Sequence, residues 1–367
     1  MAKDRQRDPG ATIYSVAELA GVSIASVSRV MQGSGGVSDK TRQKVLAAAK
    51  ELNYVPLGAA RSLAVRHHEA HGLVLPELAG PYYSELLIGF ETRAAELGQS
   101  VVLLLADGKR DVARDVRRLA TRVDGLVMLG SLCVTDMVAQ GLHGKKPVLV
   151  IAGHPQPGIE AIGAENHQGA RELTAHLLGH GRRRLLFVGD PASAPDVADR
   201  YEGFVAAHEG EPTPDPVRIP FREADGASFA DRVLGGDVEA DAFVCANDEL
   251  ALSIMSRLQD GGVRVPEDVA VVGWDDVMAA RYVRPGLTTV RQPVKELGRL
   301  AADRLHERIA GAPAREGLEI LPTQLVLRGS CGCAAAPDAK PATASAKPSG
   351  RTTGRPVRKA SSKRTTA

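Results

Sequence analysis

From His71 onward the chain alternates short apolar runs with amphipathic stretches, and that alternation confines it to a doubly wound α/β architecture. Continuous apolar runs at 72–75, 101–105, 125–129, 148–151, 185–188, 242–245 and 269–272 predict parallel strands buried on both faces. Apolar residues at helical spacing over 84–97, 112–122, 167–178, 199–207, 249–259 and 294–309 predict the helices between them. The 71–330 stretch is long enough for two such units. A ligand then belongs in the crevice at the carboxyl ends of the strands.

The preceding segment has a different texture. Thr12 can cap a helix over 13–20 whose inner face is Ile13, Val16, Ala17 and Ala20, and Gly21 ends it. Ser23 can cap a second helix over 24–31, with Val27 and Val30 inward and Ser26, Ser28 and Arg29 on the face turned to a partner. Ser38 caps a third, in which Val45, Leu46, Ala49 and Leu52 close a small core. Helix, glycine turn and helix is the arrangement that places a second helix in the DNA major groove. Arg29 is the side chain suited to a bidentate contact with guanine; its structural alternative is a phosphate- or solvent-facing arginine.

Charge supports the division. Residues 1–66 carry ten Lys/Arg against five Asp/Glu, and residues 334–367 carry eight against one, so a formal net charge of +2 leaves −10 for the middle. A basic head on an acidic body suits a polyanion-binding module joined to one that does not bind polyanions. The first ten residues have no apolar core of a signal peptide, and no apolar run approaches the roughly 20 residues of a membrane span. A cytoplasmic protein working at the nucleoid, with no membrane contact, is the expectation. Beyond Cys333 the composition is Ala, Pro, Lys, Ser, Thr and Arg, which predicts a disordered basic tail over 331–367.

The segment beginning Thr12-Ile-Tyr-Ser-Val-Ala-Glu-Leu-Ala-Gly-Val-Ser23, then Val27-Ser-Arg-Val30, Val37-Ser-Asp-Lys-Thr-Arg42, Leu52-Asn-Tyr-Val-Pro56 and Ala60-Arg-Ser-Leu63, resembles the LacI/GalR family of bacterial repressors, and the likeness continues to about Arg328. The resemblance implies a small all-α helix-turn-helix head on a periplasmic-binding-protein-like α/β body of two Rossmann-like lobes joined by three crossings. It implies a flexible arm over 1–11, a DNA-binding domain over 12–56, a hinge helix and linker over 57–70, and an effector-binding and dimerisation domain over 71–330. The DNA-binding positions carried over are Ile13, Tyr14, Ser23, Ile24, Ala25, Ser26, Ser28, Arg29, Ser38, Tyr54, Ala60 and Leu63. Leu63 would wedge into the minor groove at the operator centre, unless it is an ordinary linker leucine. Leu57 and Gly58 depart from the family's hinge pattern, and glycine disfavours a helix by about 1 kcal/mol. Ile24 and Ala25 occupy the positions that vary most between operators, and neither can form a side-chain hydrogen bond.

In the body, the resemblance implies an effector site of Pro81, Tyr83, Arg200, Phe221, Asn247, Trp274, Asp275 and Gln292. Arg200 would supply a planar fork, Asp275 would accept vicinal hydroxyls, and Trp274 would stack on a pyranose. Pro81, Tyr82 and Tyr83 offer a ligand-facing surface or pack a helix entry. Asp248 and Asp276 read better as helix caps. Many sugar-responsive relatives carry Asp at the end of the fourth strand, where this chain has Ala152, Gly153 and His154. The effector class is therefore open between a sugar, a nucleobase and a protein partner.

Other features point to structure. The Cys331-Gly-Cys333 loop reads as too tight for a metal site, and His176 and His180 as part of a helix stop at Gly179-His-Gly181. His67, His68 and His71 lack a cysteine partner or a fixed scaffold. No nucleophile elbow, P-loop or paired-carboxylate motif is present, so no catalytic residue, cofactor or metal is expected. The reading is a ligand-controlled transcriptional regulator, not an enzyme, bound to a pseudo-palindromic double-stranded operator as a homodimer, with a sugar as the first-choice effector. The alternative is a sugar-binding-fold module or enzyme with a vestigial head. Residues 334–367 contain no leucine, which disfavours the carboxyl-terminal leucine heptad of tetrameric family members.

Overall fold

In the head, Thr12 accepts a hydrogen bond from the Ser15 amide while the Ser15 hydroxyl takes one from the Thr12 amide, a reciprocal cap that starts α1 (Ile13–Ala20). Gly21, at φ 63°, ends it in a left-handed turn that other residues adopt at a cost. Ser23 caps α2 (Ile24–Met31), and Ser38 caps α3 (Asp39–Glu51). Val16, Ala17, Ala20, Val27, Val30, Val45, Ala48 and Ala49 close the core. Leu46, expected inside, is 52% exposed; Ala48 takes the inward position one turn before Leu52.

The computed structural model describes residues 11–31, 36–54, 67–106, 111–130, 132, 141–142 and 144–333. Residues 1–10 of the expected arm (1–11), residues 57–66 of the expected hinge and linker (57–70) with Ala60 and Leu63, and residues 334–367 of the expected tail (331–367) lie outside these residues.

The body is two stacked-layer lobes. The first holds a parallel six-stranded sheet, in spatial order β10, β5, β4, β3, β1, β2, from β1 (Ala70–Leu75), β2 (Ser100–Leu105), β3 (Gly125–Leu129), β4 (Val148–Ile151), β5 (Glu160–Ala164) and β10 (Leu318–Leu321). The second holds a five-stranded sheet, β11, β9, β8, β7, β6, from β6 (Leu185–Val188), β7 (Ala242–Cys245), β8 (Ala270–Asp275), β9 (Thr288–Arg291) and β11 (Gln324–Val326). Only β11 is antiparallel there. Helices α4 (Pro81–Glu96), α5 (Val112–Ala120) and α11 (Val294–Ile309) serve the first lobe; α6 (His167–Gly179), α7 (Pro195–Ala206), α8 (Glu223–Leu234), α9 (Asp248–Asp260) and the short α10 (Ala279–Tyr282) serve the second.

The chain passes between lobes after β5, after β9 and after β10, giving three crossings. Because β3, β4 and β7 are buried along their whole length, their sequences are unbroken apolar runs, and the equally buried β1 departs from that pattern only at His71. Helices α4 and α11 touch backbone to backbone. A Cβ on Gly89 would stand 2.2 Å from the Lys295 carbonyl, and one on Gly298 2.3 Å from that of Leu86. Among the described residues no single helix is long and apolar enough to cross a membrane.

The carboxyl-terminal turn departs from expectation. The Ser330 hydroxyl donates to the Val271 carbonyl at 2.5 Å and accepts from the Thr288 amide at 2.9 Å, so the turn is stitched to β8 and β9. Cys331 is fully buried, and ordered structure runs through Cys333 rather than ceasing at 331. Gly332, at φ 104°, lets the turn present both the Cys331 and Cys333 sulfurs to His176, and the Cys333 sulfur also to His180.

Candidate nucleic-acid interface and effector cleft

The axes of α1 and α2 turn through 106°, within the roughly 90–120° of DNA-reading helix pairs. Tyr14 (68% exposed), Ile24 (43%), Ala25 and Arg29 stand out from the head surface, with Ser26 and Ser28 half-buried between them. Ser23 and Ser38 are exposed at the starts of α2 and α3, where unpaired amides attract anions; their hydroxyls also close local caps. Ile13 and Tyr54 pack partly against the head core. The small residues on the outer face of α2 leave the backbone room to approach a partner closely, and Arg29 stands at the far end of that face.

Between the lobes lies a cavity of about 700 Å³. Pro81 and Tyr83 border it from the start of α4, Arg200 from α7, Phe221 from the segment before α8, and Asn247, Asp275 and Gln292 from the carboxyl ends of β7, β8 and β9. These are the strand ends at which an open α/β sheet binds ligands. Ala152 reaches it from the first lobe at φ 53°, beside Gly130 and Gly153, where a side chain on either glycine would meet backbone or Val150.

Arg200 is the most constrained group of the cleft. Its Nε donates to Asn166 Oδ1 at 2.9 Å, Nη1 to the Ala246 carbonyl at 2.7 Å and Nη2 to Asp196 Oδ2 at 2.8 Å. A guanidinium has five N–H groups, so two remain for a ligand, in a plane already fixed. That plane lies 4.8 Å over the Trp274 ring.

Trp274 therefore does not take the expected place. It is 1% exposed, belongs to the second lobe's core and reaches under α6 at Gly169. Successive strand residues point to opposite faces, so a β8 that sends Asp275 to the cavity sends Trp274 away from it. The indole supports Arg200 from behind; it is not positioned to stack on a ligand.

Asp275 accepts a 2.6 Å hydrogen bond from Gln292 Nε2. Burial pushes its carboxyl up to about 7, although Arg200 and the Gln292 bond pull the other way. Tyr82 and Tyr83 meet edge to face at 5.3 Å, and burial holds both phenols in the neutral form. On the opposite wall, the Ala192 amide and Arg218 keep the Asp190 carboxylate below its usual range.

The two carboxylates expected as caps do other work. Asn247, not Asp248, caps α9, accepting from the Leu250 amide at 3.0 Å. Asp248 is fully buried, accepts from Thr289 Oγ1 at 2.6 Å and from the Val277 amide at 2.9 Å, and its carboxyl is raised well above the ordinary range by burial and then by Asp275. Asp276 caps no helix: it meets Arg291 and Arg328 at 2.6 Å each and Arg281 at 3.5 Å. A single aspartate thus ties β9, the carboxyl-terminal segment and α10 together behind the cleft.

Residues 12–56 match the lacI family of bacterial regulatory proteins, and residues 174–331 match the periplasmic binding protein-like domain. The HTH-type transcriptional repressor PurR of Haemophilus influenzae strain PittEE is 32% identical over 331 residues, covering 87% of this chain and 98% of the relative. The chain belongs to the LacI family. Among solved LacI-family structures, the lac repressor dimer bound to operator and the anti-inducer ONPF superposes with a TM-score of 0.79 at 31% identity, covering 88% of this chain and 99% of that one. The transcriptional regulator CelR in complex with cellobiose gives 0.65 at 30% identity, covering 87% and 99%. This LacI-family chain is accordingly a DNA-binding transcriptional repressor that responds to a small molecule, and not an enzyme.

Proposed function

We propose that this repressor acts in the cytoplasm, at the nucleoid, as a homodimer on a pseudo-palindromic operator, and that a sugar in the interlobe cleft sets its grip on DNA. The DNA contacts are assigned to the exposed face of α2 with Arg29 foremost, to Tyr14, and to the starts of α2 and α3; Ile13 and Tyr54 touch the backbone from the head's edge. One helix-turn-helix reads one half-site, so a palindrome requires two copies. Ile88, Met278 and Tyr282 (54%, 70% and 72% exposed) offer apolar surface to a second one.

The observation that carries the sugar reading is the pairing of acceptor and donor groups around one cavity. Asp275 with Gln292, Asp196 with Arg200, and Asp190 with Arg218 stand beside Tyr82, Tyr83 and Phe221. Polyhydroxylated ligands need such alternating acceptors and fixed donors, and aromatic edges to cover their C–H faces. The cellobiose complex of the related regulator is in keeping with this. A purine base is the second reading, favoured by Ala152 where a carboxylate would suit a sugar, and by an Asp275 carboxyl that is half protonated near pH 7 and so both donates and accepts.

Binding couples to DNA through lobe closure. A ligand that bridges Asp275 and Arg200 of the second lobe to Tyr83 of the first favours one angle between the lobes, and that angle sets the spacing of the two heads. The test is selection of genomic DNA fragments by the purified protein, then gel-shift titration of the best site against panels of mono- and disaccharides and of purines. A palindromic site released or tightened by one sugar is expected; response to a purine alone supports the second reading. Indifference to both panels refutes the assignment of the cleft.

A further inference from the structure

The second lobe carries a cluster of four side chains, far along the sequence from one another, that DNA binding and the cleft leave unused. His176 and His180 sit one turn apart at the carboxyl end of α6, with ring centroids 4.6 Å apart. Cys331 and Cys333 come from the carboxyl-terminal turn. His176 Nε2 is 3.4 Å from each of the two sulfurs, and His180 Nε2 is 3.3 Å from Cys333 Sγ. All four donor atoms lie within 4.8 Å of one another, the one such group among the described residues.

Those separations have a meaning in coordination chemistry. Tetrahedral zinc sits about 2.0–2.1 Å from imidazole nitrogen and about 2.3 Å from thiolate sulfur, which places N and S ligands roughly 3.5 Å apart. The three N···S separations already have that length. We propose that His176, His180, Cys331 and Cys333 bind one tetrahedral divalent cation of the zinc class, which clasps the carboxyl-terminal turn to α6.

Each ligand is presented by a feature of the local sequence. Residues i and i+4 share one face of a helix, so the two histidines project together. Gly332, at φ 104°, permits the reversal that brings two thiols separated by one residue to one side. Thr288 Oγ1 donates to Cys331 Sγ at 3.1 Å, the kind of supporting bond that steadies a metal-bound thiolate. Cys331 Sγ donates in turn to the Arg328 carbonyl at 3.2 Å in the thiol form. On binding, two S–H protons leave to solvent and two metal–sulfur bonds form, so a dication and two thiolates leave the half-buried site neutral. The absence of carboxylate from the set selects against calcium and magnesium.

The site lies away from the cleft. Helix α6 leads from its carboxyl end directly into β6, so the cluster stands at the amino ends of the second sheet and the cavity at the carboxyl ends. The cation therefore has an anchoring role, holding β11 and the turn after it in place.

The full-length protein, reduced and stripped with chelator, is dialysed against zinc chloride and its metal content measured; cobalt(II) chloride gives the ligand set by absorption. About one zinc per chain is expected, with tetrahedral cobalt bands and sulfur-to-cobalt charge transfer, and a thermal midpoint that rises on adding zinc. His180→Ala and Cys333→Ser alter groups at the surface end of the cluster, and circular dichroism checks that each variant folds. Each is expected to lose zinc affinity by more than the roughly 10- to 100-fold that follows loss of a supporting hydrogen bond, and to lose the charge-transfer or tetrahedral signature. Sub-stoichiometric zinc in the reduced wild type overturns the proposal. So does equal occupancy in both folded variants, which would mean an adventitious site, and so does a Cys331–Cys333 disulfide that persists under reductant.

Discussion

Replacing Asp275 by Asn tests the cleft most directly, because it removes a charge while keeping the side chain's shape and its ability to accept from Gln292. With the carboxyl at about 7, roughly a tenth of Asp275 is ionised at about pH 6 and nine-tenths at about pH 8. A ligand hydroxyl that donates to Asp275 prefers the ionised form. Its affinity is therefore expected to rise close to tenfold, or about 1.4 kcal/mol, across those two units, and to be flat in Asp275→Asn. The chain contains a single tryptophan, and it adjoins Asp275 and lies beneath Arg200, so its emission reports on the cleft without a label. In the ligand-free protein that emission should inflect near pH 7 and lose the inflection in the variant. Stability carries the same sign. The folded chain holds a proton that the unfolded chain releases above about pH 4, so this stabilisation is complete below pH 4 and is lost as pH rises through 7. Relative to wild type, Asp275→Asn should melt higher at pH 8 than at pH 5. A wild-type emission flat between pH 6 and 8, or an inflection that survives in the variant, would refute the reasoning.

Three further outcomes are expected. Arg29→Ala should reduce discrimination between the selected operator and one altered at the matching guanine by about 1–3 kcal/mol, measured by gel shift, with head folding unchanged by circular dichroism. Asp276→Ala strands the buried Arg328 and should cost about 3–5 kcal/mol in urea unfolding; a loss under 1 kcal/mol would mean the arginine finds water instead. Gly89→Ala should destabilise the first lobe by at least about 1–3 kcal/mol, since the added methyl meets the Lys295 carbonyl rather than a flexible side chain; an unchanged thermal midpoint would show that α4 and α11 can part freely.

The sequence was most legible where one physical signal dominated. The three head helices begin at Thr12, Ser23 and Ser38 because a hydroxyl there closes a local cap, and local bonds need no tertiary context. Strands β3 and β6 end where their apolar runs end, at Gly130 and Gly189. By contrast β5, Glu-Ala-Ile-Gly-Ala, has little branched or aromatic character, and only its place between β4 and β10 makes it a strand. Helix α8 was hidden by Gly226, whose missing side chain permits close approach to Ser253 of α9. Strand ends identified the cleft, yet the face to which Trp274 turns depends on register, which a lone run does not reveal. Least legible was the pairing of His176 and His180 with Cys331 and Cys333, because some 155 residues separate the partners and only the path of the chain unites them.

That path also governs the order in which the protein can be completed during synthesis. Helix α11, whose Gly298 face seats against Gly89, emerges about 200 residues after its partner α4. Until then the first sheet lacks both a covering helix and the strand β10 that pairs with β5. The second lobe meanwhile acquires β6 to β9 in succession, but its border strand β11 and the Ser330 stitch come last of all. Neither lobe is a cassette that could be cut out, exchanged or finished on the ribosome before the other has begun, so the two must mature as an interleaved pair.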